Sequence, residues 1–367
     1  MKIDNYTYLN SMKVFLMVPE MNLGGVEEGT FDLACGMKKM GIEVTVISGL
    51  GSYVPLMEKE NIKWFNLPTN RKTPVVFLKS LKILQKLIAD EKPDILHCRS
   101  RFPAWIGYYA TRKNPKTKFV TSIHGFYGCS FYSKIMGKGE RVIVISESLS
   151  EFAIKKLGAH PDCVRIVHNG IKFEPYINLP RKKHSNFIIG GIGRLTELKG
   201  FQYLIRAAAI VKQNVPFIKI HIIGDGPYKK NLEYLGEKFG ITILFLQGRA
   251  SDYLPEIDLL VAPHIETETF KKGHVQWLGR IVYEAQIAGV PVLTTLHGIE
   301  KGTFVKTETE LLTAPRDIEA MAKAIEFVIK NPEELNRMIT NAREFVMNHF
   351  SIEQMVEKTV RIYKEIL

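Results

Sequence analysis

The sequence predicts an α/β fold of two doubly wound, Rossmann-like domains, and three observations carry that prediction. Its 367 residues exceed what one hydrophobic core usually organises. Short apolar runs alternate with segments of helical period, the pattern of a parallel sheet covered by helices on both faces. The alternation stops near residue 170 and starts again near residue 187.

In chain order, residues 13–18 form an apolar run that reads as a buried strand, and an apolar-periodic helix follows from about Gly29 to Met40. Residues 43–48, 95–97, 119–123 and 142–145 supply the other strands of the first sheet. Between them, residues 74–88 place Phe77, Leu78, Leu81, Leu84, Leu87 and Ile88 on one helical face, with Lys79, Lys82 and Lys86 on an opposing stripe. Such a helix packs on its own domain, and its lysines can also face anionic lipids. The second series of strands is 187–192, 218–223, 243–246, 259–262 and 290–293, with a helix around 201–212. The expected divisions are a first domain over 1–172, a Pro-, Lys- and Arg-rich linker over 173–185, a second domain over 186–350, and a closing helical segment over 351–367 that crosses toward the first domain. Open α/β sheets bind ligands beyond the carboxyl ends of their strands, so two such domains facing each other would share a central cleft.

The net charge of +12 is uneven. Through Gly170 there are 24 Lys and Arg against 15 acids, and after it 26 against 23, so the first half is expected to meet the anionic partner. No nucleic-acid module is recognisable, which leaves an acidic acceptor or an anionic membrane surface. No apolar run is long enough to span a membrane. The first eleven residues lack the apolar core of an export signal, and Cys35, Cys98, Cys129 and Cys163 have no metal-ligand spacing. A cytoplasmic protein is expected, with a peripheral place at the inner face of the membrane open to it.

Five motifs carry chemistry. In the segment from Lys272 to Val292, Gln276 and Leu278 stand in a loop, Gly279 opens a helix and Glu284 points from the helix body, so one site can hold two parts of a long polar ligand. Gly24 and Gly25 end a loop after the first strand, where the backbone can approach a bulky ligand; the alternative is a plain turn. Gly193–Arg194–Leu–Thr–Glu–Leu–Lys199–Gly200 sets two cations around the turn after the first strand of the second domain. Together they can neutralise a diphosphate without a divalent cation, and no Asp-X-Asp motif accompanies them. His124 follows another strand in a His-Gly loop. Arg99, Arg101 and Trp105 combine guanidinium forks for acidic groups with a ring on which a sugar can stack. Asn169 and Gly170 form a boundary loop or a domain-closing turn.

On these motifs the chain resembles the family 4 glycosyltransferases, which have a Gly-Gly loop, a His-Gly loop, an Arg/Lys pair at this spacing, and two glutamates with seven residues between them before an apolar stretch and Pro-Val. Gln276 stands where the family has the first glutamate, and Glu284 matches the second. The stretch from Ile95 to Trp105, the His124 loop and the Tyr132 to Gly139 segment further resemble bacterial lipopolysaccharide-core glycosyltransferases. The resemblance implies the two-domain glycosyltransferase B (GT-B) fold and retaining transfer of a hexosyl unit from a nucleotide diphosphate sugar to an anionic glycan or glycolipid, without metal or other cofactor. It implies Glu284 on the nucleotide ribose, Arg194 and Lys199 on the diphosphate, Gly24 and Gly25 beside it, and His124 and Gln276 around the sugar, with Leu278 and Gly279 in the donor site. The acceptor would approach past Arg99, Arg101 and Trp105. Two other readings stay open: a nucleotide-sugar epimerase of similar fold, and a noncatalytic carbohydrate- or lipid-binding protein.

Overall fold

The computed structural model describes residues 12–22, 24–67, 69, 71–182, 184–265, 279–296, 299 and 301–367. The chain forms two compact units, one of Met1–Gly170 with Ile352–Leu367 and one of Ile171–Ser351.

The first unit is built on β1 (Lys13–Met17), β2 (Glu43–Ser48), β3 (Lys63–Asn66), β4 (Ile95–Cys98), β5 (Lys118–Ile123), β6 (Arg141–Val144) and β7 (Val164–Ile166). All run parallel, in the order β3-β2-β1-β4-β5-β6-β7. The chain starts mid-sheet, winds out to β3, then returns past β1 to build the other half. This reversal between β1 and β4 creates the crevice where doubly wound sheets take ligands. Helices on both faces explain the unbroken apolar strands: Val14, Phe15, Leu16 and Met17 are fully buried. Each such side chain contributes about 1.5–3 kcal/mol over leaving it in water.

The helix Gly25–Lys39 begins four residues before the predicted start at Gly29, with Glu27 and Glu28 in its first turn, where the helix dipole favours negative charge. The helix Pro74–Glu91 has its start written in the sequence: Pro74 opens it, and the Thr73 hydroxyl accepts from the Val76 N–H at 3.3 Å. It buries Leu84 and Ile88, but Leu78, expected on the same face, is 58% exposed. Six residues before Leu84, Leu78 points about a third of a turn away from it.

The second unit carries β8 (Phe187–Ile192), β9 (Ile218–Ile223), β10 (Ile243–Leu246), β11 (Leu259–Ala262), β12 (Val292–Thr295), β13 (Phe304–Lys306) and β14 (Leu311–Thr313). Their order is β10-β9-β8-β11-β12-β14-β13, parallel except for β13. The reversal falls between β8 and β11. The strand expected at 290–293 begins at Val292, since Pro291 has no N–H to give the ladder. Residues 173–185 belong to this unit instead of standing apart as a linker. Phe173, Tyr176 and Ile177 pack against Ile171, Ile287, Val346 and Phe350, and Arg181 donates to the Leu254 carbonyl at 2.9 Å.

The chain then rejoins the first unit through the helix Ile352–Lys364, whose Met355, Val356, Val360 and Tyr363 enter the core around β1 and β2. Helix Gly25–Lys39 meets it at Gly36, where any side chain would collide with Val356. Among the described residues no helix is long and apolar enough to cross a membrane.

Candidate active site

In the first unit, the ends of β1, β4 and β5 and the loop after β7 bring a polar cluster to the reversal point. The Arg99 N–H extends the β1–β4 pairing by donating to the Met17 carbonyl at 2.9 Å. This turns the Arg99 side chain inward, where it is 5% exposed. Gly29 leaves room for it: a Cβ there would lie 3.5 Å from Arg99 Nη2 and 3.9 Å from Asn169 Oδ1. Burial draws the guanidinium down to about 10, against the opposing pull of Tyr363 and Glu27.

His124 follows β5 directly. Its Nε2 shares a 2.7 Å hydrogen bond with Ser122 Oγ, while Nδ1 is buried without a hydrogen-bond partner among the described residues. Burial, reinforced by the Arg99 charge, holds the imidazole well below its usual range and therefore neutral. A neutral ring suits hydrogen bonding to a hydroxyl. Glu27 reaches into the cluster from the first helical turn. Burial raises its pKa and Glu20 adds to this, while its own N–H and Arg99 pull the other way. A side chain at Gly24 would strike the Glu27 carboxylate, whereas the space over Gly25 is open. The two glycines thus present the uncapped N-terminus of Gly25–Lys39, with Glu27 folded beside it.

Arg101 and Trp105 stand apart from that cluster, on the helix Arg101–Arg112. The Arg101 guanidinium lies 4.7 Å from the Tyr127 ring centre and 5.5 Å from that of Tyr132. Trp105 donates to the Tyr132 carbonyl at 2.9 Å. The three residues read from sequence as one acceptor surface therefore divide: Arg99 is a buried cation, and Arg101 and Trp105 form a partly exposed aromatic–cationic patch.

In the second unit, the loop after β8 carries Arg194, exposed, and Lys199, half-buried. The Arg194 side chain makes no hydrogen bond or ion pair among the described residues. The Lys199 ammonium donates to His264 Nε2 at 3.0 Å, at the end of β11 and so across the reversal point. Burial lowers the Lys199 pKa. Burial and the Lys199 charge together push His264 down to about 3, against a hydrogen bond with the Ala262 backbone. His264 is therefore an acceptor that aims a partly desolvated cation.

Two glycines let this loop fold so closely. Gly200 adopts φ 71° and has the Pro263 carbonyl where a Cβ would sit; Gly224 adopts φ 141° against the Gly193 carbonyl.

Gly279 caps the helix Arg280–Ile287, and Glu284 is buried on it, 3.6 Å from the Arg280 guanidinium. Gln276 and Leu278 lie outside the described residues. Sequence reading passed over His264, although its place directly after a β-strand is the signal that selected His124. It also passed over Tyr363, whose hydroxyl meets His97 Nδ1 at 2.7 Å within the first core; no local motif marks a contact between residues so far apart in sequence.

Two family profiles match the chain in succession, Glycosyltransferase Family 4 over residues 23–174 and Glycosyl transferases group 1 over residues 174–345. The UDP-Gal:alpha-D-GlcNAc-diphosphoundecaprenol alpha-1,3-galactosyltransferase of Escherichia coli is 27% identical over 322 residues, 78% of this chain and 79% of that protein. Among solved structures, a glycosyltransferase from Rickettsia africae superposes with TM-score 0.81 at 25% identity, over 97% of this chain and 99% of that one. Anabaena Alr3699/HepE, solved with UDP and glucose, shares the fold at TM-score 0.77 and 18% identity, over 97% of this chain and 100% of its own.

Proposed function

Because the chain belongs to glycosyltransferase family 4, its first half matched by the Glycosyltransferase Family 4 profile and its second by that of Glycosyl transferases group 1, we propose that it moves a hexosyl unit from a nucleotide diphosphate sugar to an anionic glycan or glycolipid, with retention at the anomeric carbon. Glycosyl transfer itself follows from the family.

The observation that carries it is the Lys199–His264 pair at the carboxyl ends of β8 and β11. A cation already stripped of much of its water, and held in place, costs little further reorganisation when negative charge develops beside it. In the proposed reaction the bond from the anomeric carbon to the diphosphate breaks as the bond to the acceptor oxygen forms on the same face. The acceptor proton passes to the departing diphosphate oxygen. Lys199 and Arg194 stabilise that leaving group without a metal ion and Glu284 binds the ribose, while His124, Gly24 and Gly25 are assigned to binding the sugar. Bacterial cell-envelope glycan synthesis, including lipopolysaccharide core, is the setting that fits a basic first unit and the diphosphate-linked lipid acceptor of the E. coli relative.

The test is a thermal-shift screen across UDP, GDP and ADP sugars, since a ligand that binds only the native state raises its apparent stability. It is followed by transfer assays with and without EDTA, the product anomer being read by NMR. One nucleotide sugar is expected to stabilise the protein and give an EDTA-insensitive product of unchanged anomeric configuration. An inverted product, or a free epimerised sugar formed without acceptor, would sink the proposal.

A further inference from the structure

Beside Arg101, the first unit carries a groove of about 400 Å³ walled by Phe77, Leu78, Phe102, Trp105 and Tyr132, with Lys72 at its edge. That volume is in the range of small-ligand sites, roughly 300–1,000 Å³. Its walls are almost wholly apolar, so a sugar would find few fixed hydrogen-bonding partners along it. The apolar surface is also left open: Leu78 is 58% exposed and the neighbouring Phe131 78% exposed.

At one end the chemistry changes. Lys72 Nζ lies 5.9 Å from the Tyr132 ring centre and the Arg101 guanidinium 5.5 Å from it, so two cations share one ring. The Tyr132 hydroxyl is buried without a hydrogen-bond partner among the described residues. Burial raises the Tyr132 phenol, which keeps it protonated and able to donate. Two cations and an unused O–H donor call for an anion.

We propose that this groove seats the lipid part of the acceptor, an isoprenyl or alkyl chain against Phe77, Leu78, Phe102 and Trp105, with its phosphate or diphosphate on Arg101, Lys72 and the Tyr132 hydroxyl. This rests on the transferase reading and names the acceptor class, a lipid-linked anionic glycan. A flat membrane surface would engage the protruding Leu78 and Phe131 but not the concave wall, and an unlipidated acidic glycan would leave the apolar wall in water.

The full-length protein is titrated calorimetrically with geranyl diphosphate and, separately, with inorganic pyrophosphate, geraniol and phosphatidylglycerol vesicles, all without nucleotide sugar. Geranyl diphosphate is expected to bind at least tenfold more tightly than either pyrophosphate or geraniol. Leu78→Asp, an exposed site, should weaken it about tenfold, and Tyr132→Phe, which keeps the ring and removes the donor, about fivefold, both with unchanged melting temperature. Equal affinity for pyrophosphate, wild-type affinity in both variants, or binding to vesicles but not to geranyl diphosphate would each overturn the proposal. Failure of the transferase reading appears elsewhere, as absence of donor turnover with any acceptor while groove binding persists.

Discussion

Lys199 is the residue on which the proposed chemistry leans most, and its burial beside a neutral imidazole separates a binding role from a merely surface one. Lys199→Ala is expected to lower kcat by roughly 10²–10³, the cost of about 2.7–4 kcal/mol seen when a preorganised donor to a developing charge is removed. Unchanged turnover of the folded variant at saturating substrates would take Lys199 out of the mechanism. The two arginines near β4 should part company. Arg101→Gln is expected to raise acceptor KM severalfold with little change in melting temperature. Arg99→Gln, by contrast, should destabilise the first unit by about 1–3 kcal/mol, as a buried network loses its cation. If Arg99→Gln melts like wild type and only acceptor KM moves, Arg99 reads the acceptor after all. At this scale the sequence displayed Lys199, Arg194, His124 and the glycine pair through their strand-end positions. It could not display the opposite burial of Arg99 and Arg101, because residues two apart are separated here by the start of a helix, which turns one inward and leaves the other outside.

Among the elements, the loops after β8 and β9 depend on backbone approaches that only glycine permits. Gly224→Ala would require an L residue at φ 141° and drive its Cβ into the Gly193 carbonyl, so the variant must shift the loop that carries Lys199. A cost of about 1–3 kcal/mol is expected, in keeping with other strained backbone positions, together with donor affinity at least tenfold weaker. Calorimetric titration with the winning nucleotide sugar checks this, and wild-type affinity would show the loop to be free of the donor. The interior strands were readable because each is a continuous apolar run. The strands β3, β7, β13 and β14 were not, since three or four residues carry no periodicity and their pairing is decided by neighbours distant in sequence. Residues 173–185 misled for a related reason: proline and charge announce a linker, but Phe173, Tyr176 and Ile177, spaced among them, bind the segment to the second core.

For the whole molecule, the restart of the strand pattern near residue 187 disclosed two units, while composition said nothing of how firmly the last helix is fixed to the first. That attachment ends in Tyr363, fully buried, with its hydroxyl 2.7 Å from His97 Nδ1. Burial, with Arg99 and His124 adding to it, keeps His97 well below 6.5, and His264 in the second unit is held at about 3. Below pH 6.5 the unfolded chain takes up protons that these folded imidazoles refuse. Their contribution is therefore complete above that pH and is lost as pH falls toward the folded values, by up to about 1.4 kcal/mol per unit and per imidazole. Glu310, raised to about 7 by burial, acts in the opposite sense: its contribution is complete below 4.5 and is lost as pH rises through 7. Acid melting should accordingly begin near pH 6.5 and steepen below 4.5, where Glu310 no longer offsets the imidazoles. Tyr363→Phe keeps the ring in its packing site and removes the partner of His97, leaving a buried nitrogen unsatisfied at a cost of about 1–3 kcal/mol. Measured at pH 8, above the imidazole window, hydrogen exchange should quicken in β1, β4 and β5, whose order relies on that helix, and stay unchanged in β8, β9 and β11. Equal loss of protection in both sheets would mean that the last helix stabilises the entire chain and not the first unit alone; no loss in either would make the His97–Tyr363 bond energetically silent.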